Sequence, residues 1–253
     1  MGSKYCKINI DKVKDDFILE QENIIKVLVC NLRLEEIVSG MQGVLRNFKE
    51  DFGEVAKSYS DVIDITTEEI CDFIEQKSLT RSEINRTFVE LYELFERNIK
   101  LILEYVHYHK TEIIFHKDKK IDGDIFHKII KDNSLVEKTT KKYIDDNVNK
   151  LIYSKNIEYV LNFICEKSKI TKIDDRSKEV IGCFSILRNC IIHNKGFIDK
   201  NEFKKVKSIF AEGSKGDFTV DIQHETVLWA LRLYKSAIVS ICDQLKEKYE
   251  KVA

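Results

Sequence analysis

The sequence predicts an all-α protein, and three observations support this prediction. The 253 residues include no proline and only nine glycines, the two residues that most often end or interrupt helices. Apolar residues recur mainly at steps of three and four, which places them on one face of a helix. The alternation typical of a strand occurs only briefly, at residues 218–222. We therefore expect a helical bundle with at most one short extended segment.

Composition and charge restrict the class of protein. Hydrophobic residues make up 43% and charged residues 34%, the balance of a soluble globular chain. No apolar run approaches the roughly 20 residues that cross a bilayer, and the N-terminus lacks the apolar core of a secretory signal. We thus expect a cytoplasmic protein without membrane contact. A formal net charge of −1 counts mildly against tight, nonspecific nucleic-acid binding.

The seven cysteines indicate neither a disulfide framework nor a metal site. Their number is odd, and no Cys-x2-Cys or Cys/His pairing has the spacing of zinc ligands. Most lie in apolar helical contexts, where a reduced cysteine acts as a small hydrophobic side chain. Since no Gly-rich phosphate loop is present either, we expect no metal and no cofactor.

Residues 1–78 are predicted to form an N-terminal helical extension. A helix is expected over most of residues 1–58, weakened or bent at Gly40 and Gly43, and a shorter one over residues 60–76. The apolar positions that repeat at three and four are Phe17, Ile24, Ile25, Leu28, Leu32, Ile37 and Val38. Nothing here suggests chemistry, and the extension could regulate, dimerise or recognise a partner.

Residues 80–253 are predicted to form a helical domain that a long helix opens. Thr80 and Glu83 form a capping box, in which hydroxyl and carboxylate satisfy each other's backbone donors. The helix is expected to run to about residue 117, and its apolar stripe, continued by sevens, reaches His109 and His116. These histidines could be ligands or line a polar cavity, although core or edge histidines with satisfied hydrogen bonds are more common.

Three helices are expected next. A capping box that begins at Ser134 opens the first, which runs to about residue 153, and the second covers residues 157–166. The third ends near His193, with Gly196 well placed as the residue that follows its C-terminal cap.

Two more helices are expected to close the chain. Asp199 can cap a short one that follows directly. The last, from about residue 225 to 251, must pack its apolar stripe on another helix, within the subunit or across a dimer. That stripe runs in strict steps of four and three through Val227, Leu231, Tyr234, Ile238, Ile241 and Leu245.

Arg188, Asn189 and His193 lie in or directly after the otherwise apolar turn at residues 187–192, and Asn194 follows them. Apolar helix turns are normally buried, and burying a cation or an imidazole is costly unless the group is paired or used. An Arg-x4-His pair alone is weak evidence, because eight arginines and six histidines produce it about 0.2 times by chance. Requiring both asparagines lowers this expectation to roughly one in a thousand.

The motif and its surroundings resemble a known family. Residues 184–199, Phe-Ser-Ile-Leu-Arg-Asn-Cys-Ile-Ile-His-Asn-Lys-Gly-Phe-Ile-Asp, are similar to the signature of HEPN-domain proteins, an Arg-Asn-x3-His motif followed by Asn and Gly. The resemblance extends over residues 80–253 in architecture, through the short capped helix, the brief extended piece and the amphipathic closing helix. Residues 1–78 lie outside it.

The resemblance implies a helical bundle that dimerises so that two motifs face one cleft. Many such proteins are metal-independent endoribonucleases of toxin–antitoxin and antiphage systems. It therefore implies RNA as substrate, a homodimer, and an antitoxin or regulatory protein as a further partner. It also suggests an acidic or polar helper from the preceding long helix, for which Glu96 is the candidate. Glu96 could equally be a surface carboxylate paired with Lys100.

The residue types of the motif fit RNA cleavage. An RNA strand is cut by its own 2′-hydroxyl when a base takes that proton and an acid serves the leaving 5′-oxygen. Histidine is the usual side chain for such work near neutral pH, which selects His193. Arg188 presents a permanent charge and a planar fork to the phosphate oxygens. Asn189, one turn before His193, could orient its ring or hold the nucleotide, and Asn194 completes the supporting set.

The spacing of the motif favours a site shared between subunits. Five residues at about 100° each leave Arg188 and His193 roughly 140° apart around an ideal helix. One helix therefore does not bring both side chains to the same phosphate. In a symmetric dimer, Arg188 of one subunit can meet His193 of the other.

Three alternatives remain at this stage. The motif could be a capped helix end, with His193 favoured by the negative end of the helix dipole and Arg188 and Asn189 bonded to nearby carbonyls. The chain could be a HEPN-like module that binds RNA, a nucleotide or a partner without cutting. It could also be a purely structural helical dimer.

Overall fold

The computed structural model describes residues 7–47, 81–110, 133–194, 197–206, 220 and 222–250. These residues form helices and no strand, which confirms the all-α prediction for this part of the chain. The helices are α1 (Ile10–Asn47), α2 (Arg81–His109), α3 (Asn133–Ser154), α4 (Ile157–Ser168), α5 (Asp175–His193), α6 (Lys200–Val206) and α7 (His224–Tyr249). None of these described helices is long and apolar enough to cross a membrane.

Three long helices, α1, α2 and α7, pack against one another and build much of the core. All six residues of the predicted α7 stripe, from Val227 to Leu245, are buried. The stripe packs on α1 and α2 of the same subunit, so the choice left open by the sequence is settled in favour of an intramolecular partner.

The N-terminal helix is part of this core. A single helix runs from Ile10 to Asn47, through the positions of Gly40 and Gly43. Inside the bundle, the buried Gln21 donates a hydrogen bond from Nε2 to the carbonyl oxygen of Leu231 on α7, at 2.9 Å. The predicted boundary between residues 1–78 and 80–253 stays a prediction. Thr80 and the helix expected at residues 60–76 lie outside the described residues.

The shorter helices α3, α4 and α5 pack on the other sides of α2, and α6 packs on α5. An aromatic cluster joins α2, α5 and α7 where they meet. The Phe95 and Tyr234 rings stack at 4.5 Å between centroids, and the Phe184 ring meets Phe88 edge-on at 5.5 Å. This cluster fixes α5, and with it the motif, against the centre of α2.

Side-chain caps set the start of α4, α5 and α6. At the start of α4, Asn156 Oδ1 accepts a hydrogen bond from the backbone N–H of Tyr159 at 2.9 Å. At the start of α5, Asp174 Oδ1 accepts one from the backbone N–H of Ser177 at 2.8 Å. Asp199 accepts from the backbone N–H groups of Asn201 and Glu202, which confirms its predicted role as a cap.

Two helix boundaries differ from the sequence-based predictions. Helix α2 ends at His109 instead of near residue 117, at the point where His109 packs on Tyr249, the last residue of α7. Helix α3 already begins at Asn133, so Ser134 lies in its first turn and not at the position before the helix. Tertiary packing and local dihedrals decide such ends, and hydrophobic periodicity does not show them. His116 and Gly196 lie outside the described residues.

Candidate functional site

The last turns of α5 divide into a buried face and a polar face. Phe184, Leu187 and Cys190 point into the core and are at most 5% exposed. At about 100° per residue, Arg188, Asn189, Ile192 and His193 share an arc of roughly 140° on the other side. The apolar composition of this turn predicted that it would be buried on all sides. In the structure it is buried on one side only, because Ile192 is 41% exposed and His193 is also exposed.

Three contacts hold the side chain of Arg188, which is 20% exposed. Its Nη2 donates to Glu93 Oε1 at 3.1 Å, and its Nη1 donates to Asn189 Oδ1 at 3.0 Å. The guanidinium carbon lies 5.9 Å from the centre of the Tyr92 ring, a cation–π contact. The Nε–H of Arg188 is buried and has no hydrogen-bond partner among the described residues. The guanidinium is thus oriented, and one of its donors is unused.

Two ionisable groups of α2 lie beside this arginine. Glu96 is half-buried, and its burial raises the pKa of the carboxyl, with Arg188 lowering it and Glu93 raising it. Burial also raises the pKa of the Tyr92 hydroxyl well above its ordinary value, against the opposing effect of its hydrogen bond with Ser185. Tyr92 is therefore a neutral hydroxyl, and Glu96 holds its proton more tightly than an exposed glutamate does.

A cavity of about 360 Å³ opens beside Arg188. It lies between α2, α5, α6 and the junction of α3 with α4, and its lining mixes lysines, carboxylates and aromatic rings. Among its lining residues are Tyr92, Glu96, Tyr153, Lys155, Asn156, Glu158, Gly182, Ser185, Arg188, Asn189 and Lys205. A cavity of this size, lined mainly by polar groups, can hold a small polar ligand.

Gly182 makes room for one of the carboxylates in this cavity. The helix α5 passes so close to Glu158 of α4 that a Cβ atom at position 182 would overlap the Glu158 carboxylate. Burial raises the pKa of Glu158 as well. The absence of a side chain at Gly182 therefore leaves the space that this carboxylate occupies.

His193 and Asn194 lie at the end of α5 and are exposed. The backbone N–H of Asn194 donates to Cys190 O at 3.1 Å, and its carbonyl accepts from the N–H of Phe197 at 2.9 Å. His193 is not among the described residues that line the cavity. Within one subunit, the structure thus brings together Arg188, Asn189 and Glu96 and leaves His193 and Asn194 one turn further along, facing solvent.

The contacts of Arg188 differ from those of a simple helix cap. The helix-end interpretation expected Arg188 and Asn189 to bond nearby backbone carbonyls. Arg188 instead donates to two side chains, one of them on another helix. Arg188 therefore links α5 to α2 and does not close the end of α5.

Sequence reasoning missed Glu93, Tyr92 and the Gly182–Glu158 contact. Glu93 precedes Glu96 by three residues and Tyr92 precedes it by four, so all three lie on neighbouring positions of one helix face. Their helical spacing was a usable signal. The proximity of Glu158 to Gly182 had no signal in the sequence, because it depends on how α4 and α5 cross.

The two described histidines of α2 are held by their own helix. His107 is buried and its Nδ1 lies 2.7 Å from the carbonyl oxygen of Leu103, and burial lowers its pKa. His109 Nδ1 lies 2.9 Å from the carbonyl oxygen of Tyr105, and its ring packs between Tyr105 and Tyr249. Both fit core or edge histidines with satisfied hydrogen bonds.

The described cysteines are free thiols, in line with their predicted role as small hydrophobic side chains. Burial raises the pKa of Cys183 and of Cys190 to about 11, so these thiols stay protonated near neutral pH. Within the part of the chain that the structure describes, no group of three or more His, Cys, Asp or Glu side chains could hold a metal ion.

Comparison of the chain with protein-family models, with curated proteins and with solved structures finds no match.

Proposed function

We propose that this protein is a metal-independent endoribonuclease of HEPN type, whose active site is composed by two subunits. The observation that supports this most is the placement of Arg188, an oriented guanidinium at the edge of an open polar cavity, on the helix that also carries the exposed His193 five residues further on. The bundle of α2 to α7 would be the HEPN-type domain, and the sequence motif at residues 184–199 supports that assignment.

Arg188 would bind the phosphate that is cleaved. A guanidinium matches two phosphate oxygens at once and keeps its charge at any physiological pH. Negative charge grows on the non-bridging oxygens as the 2′-oxygen attacks, so a cation already held in place stabilises the transition state more than the ground state. Each Nη group carries two N–H donors, and Asn189 and Glu93 occupy only one donor of each.

His193 would transfer the protons. The 2′-hydroxyl loses its proton as its oxygen bonds to phosphorus, and the bond to the 5′-oxygen breaks as that oxygen gains a proton. The products are a 2′,3′-cyclic phosphate and a 5′-hydroxyl. One imidazole cannot take and give a proton in the same step, so one His193 in each site would take the proton of the 2′-hydroxyl and water would protonate the leaving 5′-oxygen, after which the imidazolium loses its proton to solvent.

Three further residues would support the reaction. Asn189 accepts a hydrogen bond from Arg188 and so holds the fork in place. Asn194, exposed beside His193, can donate to the substrate backbone. Glu96, a half-buried carboxyl whose pKa burial raises, lines the same cavity as Arg188 and would lie near the bound phosphate.

The partner that completes the site would be a second copy of this chain. Ile192 and Phe197, which are 41% and 56% exposed, flank His193 in the sequence. Under the proposal, these two side chains would be covered by the second subunit. The resemblance places such dimers in toxin–antitoxin and antiphage systems, where an antitoxin or regulatory protein would bind as well.

The test is cleavage of total RNA by the full chain in excess EDTA. We expect the wild type to cut and to leave cyclic phosphate ends, and Arg188→Ala and His193→Ala to lose at least about a hundredfold in rate. His109→Ala is a matched control, because His109 packs in the edge cluster of α2 and α7. Equal cleavage by all four proteins would refute the proposal.

A second candidate function is a HEPN-like module that binds RNA or a nucleotide without cutting. Two observations favour it: Glu93 already engages the Arg188 guanidinium, and His193 lies apart from the cavity that Arg188 lines. RNA binding by the wild type, lost in Arg188→Ala but kept in His193→Ala, with no cleavage by any protein, would identify this function.

A further inference from the structure

A second groove lies next to the cavity beside Arg188. It runs between α2, the end of α3 and the outer face of α4, and has a volume of about 630 Å³. Lys155 lines both the groove and the cavity, so the two meet at the junction of α3 with α4. The α4 residues that line the groove and those that line the cavity lie on opposite sides of that helix, so the surface formed by the two passes over Lys155 at the start of α4 on its way to Arg188.

Aromatic rings follow this surface. Tyr153, at the rim of the cavity, is 82% exposed, and Tyr159, in the groove, is 46% exposed. The Tyr159 ring stacks at 6.5 Å on Phe163, which in turn stacks at 5.9 Å on His107. An exposed aromatic ring offers a flat face on which a base can stack.

Lysines alternate with these rings. Lys155 Nζ lies 5.3 Å from the centre of the Tyr159 ring, and Lys167 Nζ lies 5.7 Å from the centre of the Phe163 ring. Lys150 lines the same groove and is exposed. One carboxylate of the groove, Glu166, is paired with Lys172 at 3.6 Å. The groove therefore combines cations at its surface with stacking faces between them.

We infer that this surface binds single-stranded RNA and guides it to Arg188. Bases would stack on Tyr153 and Tyr159 while Lys150, Lys155 and Lys167 contact the phosphates, the combination by which proteins hold unpaired strands without reading sequence. A duplex hides its base faces and could not use the rings. The inference rests on the proposed function, because it describes how the substrate of that site would be held.

The test is the affinity of a fluorescent 12-residue oligouridine for the full chain, measured by anisotropy in the His193→Ala background so that the probe stays intact. We expect Tyr153→Ala and Tyr159→Ala each to weaken binding about tenfold. Tyr153→Phe, which keeps the ring, should bind like the parent. Leu19→Ala, which removes an exposed apolar side chain from α1, serves as the control.

The lysines are tested by salt dependence. Lys155→Ala and Lys167→Ala should each lower the slope of log affinity against log salt by about 0.7, the value for one phosphate contact to a single strand. Lys12→Ala, at an exposed position on α1, should leave the slope unchanged. A matched RNA duplex should bind more weakly than the oligouridine and should not respond to the tyrosine variants.

Failure of this inference is distinguishable from failure of the proposed function. If the wild type cuts RNA but the tyrosine and lysine variants bind and cut normally, the strand reaches Arg188 by another route and the inference is wrong. If the parent does not bind oligouridine, it is wrong as well. If the variants lose binding while the wild type never cuts, the binding surface stands and the ribonuclease does not.

Discussion

At the scale of single residues, the Glu93 carboxylate partly neutralises the positive charge of Arg188. Its carboxylate accepts a hydrogen bond from the guanidinium while half exposed to water, so the pair is a partly screened ion pair at the edge of the cavity. A phosphate that binds Arg188 must share the guanidinium with this carboxylate. Glu93 orients the arginine, and under the proposed function it would also compete with the substrate.

We predict that Glu93→Gln binds RNA more tightly. The amide oxygen can still accept from Arg188, but the negative charge near the phosphate is gone. Because exposed ion pairs contribute at most about 1 kcal/mol, KM should fall about two- to fivefold with little change in kcat. The measurement is steady-state cleavage of a labelled RNA.

Glu90→Gln is the matched control for Glu93→Gln. It removes the same charge from the same helix, where Glu90 pairs with Arg86 at 2.8 Å. A KM that falls equally in both variants would reflect overall charge alone, and an unchanged KM for Glu93→Gln would show that this carboxylate does not compete.

Gly182 offers a prediction that needs no assumption about function. Alanine in a helix interior is favoured over glycine by about 0.5–1 kcal/mol. In this protein the added methyl group must displace the Glu158 carboxylate, so we expect Gly182→Ala to gain less than that. In a Glu158→Ala background the full gain should appear. Urea unfolding of the four proteins gives the coupling free energy, and equal gains in both backgrounds would contradict the contact.

At the scale of helices, the caps explain where α5 begins. Hydrogen bonds from the Ser177 hydroxyl and the Ser177 backbone N–H lower the pKa of Asp174. The folded protein therefore binds this proton less tightly than the unfolded chain does. The stabilisation is present above the ordinary aspartate pKa of about 3.9 and is lost as pH falls through the lower, folded value.

We accordingly predict a pH-dependent effect of Asp174→Ala. Near neutral pH it should lower the free energy of unfolding by about 1 kcal/mol, the usual value of such a cap. Its difference from the wild type should shrink below about pH 4. Asp174→Asn keeps a neutral acceptor and should show a difference that depends much less on pH. Thermal unfolding between pH 3 and 7 checks this, and a constant difference for Asp174→Ala would contradict it.

Helices and their starting points could be predicted where the signal lies within the sequence of the helix itself. The α7 stripe and the Asp199 cap are of this kind, because periodicity and an N-cap residue are local features. The end of α2 is not. It depends on the aromatic packing of Tyr105, His109 and Tyr249, which brings together residues more than a hundred positions apart.

For the candidate site too, the sequence predicted the local features but not the contacts between helices. Arg188, Asn189 and His193 are visible as polar residues in an apolar turn. Which acidic residue of α2 reaches Arg188 was not visible, since Glu90, Glu93 and Glu96 follow one another at steps of three. The crossing of α2 and α5 selects Glu93 for the hydrogen bond, and Glu96 for the cavity.

At the scale of the whole molecule, the aromatic cluster between α2, α5 and α7 contains one unfavourable group. Tyr234 is fully buried, and its hydroxyl has no hydrogen-bond partner among the described residues. Tyr234→Phe removes this hydroxyl and keeps the ring stacked on Phe95, so we expect the free energy of unfolding to rise by about 1 kcal/mol.

The control for Tyr234→Phe is Tyr105→Phe. Tyr105 is also buried, but its hydroxyl donates to Glu250 Oε1 at 3.3 Å, so losing it should destabilise the protein. Opposite signs in urea unfolding would confirm that hydrogen bonding, and not ring burial, distinguishes the two tyrosines. A loss of stability in both variants would mean that the Tyr234 hydroxyl is satisfied.

The site itself makes a prediction about assembly. The Arg188 guanidinium on α5 binds Glu93 on α2, whereas His193 lies five residues further along α5 and is exposed to solvent. If the reaction uses both residues, the second subunit must bring its His193 to the Arg188 of the first subunit. At the other site, the first subunit brings its His193 to the Arg188 of the second. Each composite site then takes one residue from each chain, which makes the two inactive variants complementary.

We predict that Arg188→Ala and His193→Ala subunits restore activity when they are mixed, unfolded and refolded together. In a mixed dimer, the intact Arg188 of one subunit and the intact His193 of the other form one complete site, while the second site lacks both. Random pairing makes half of the dimers mixed, each with one of two sites, so about a quarter of the wild-type rate should return. Each variant refolded alone is the control. If mixing restores nothing although both variants form dimers, Arg188 and His193 act within one chain, and Arg188 must then release Glu93 to reach its own histidine.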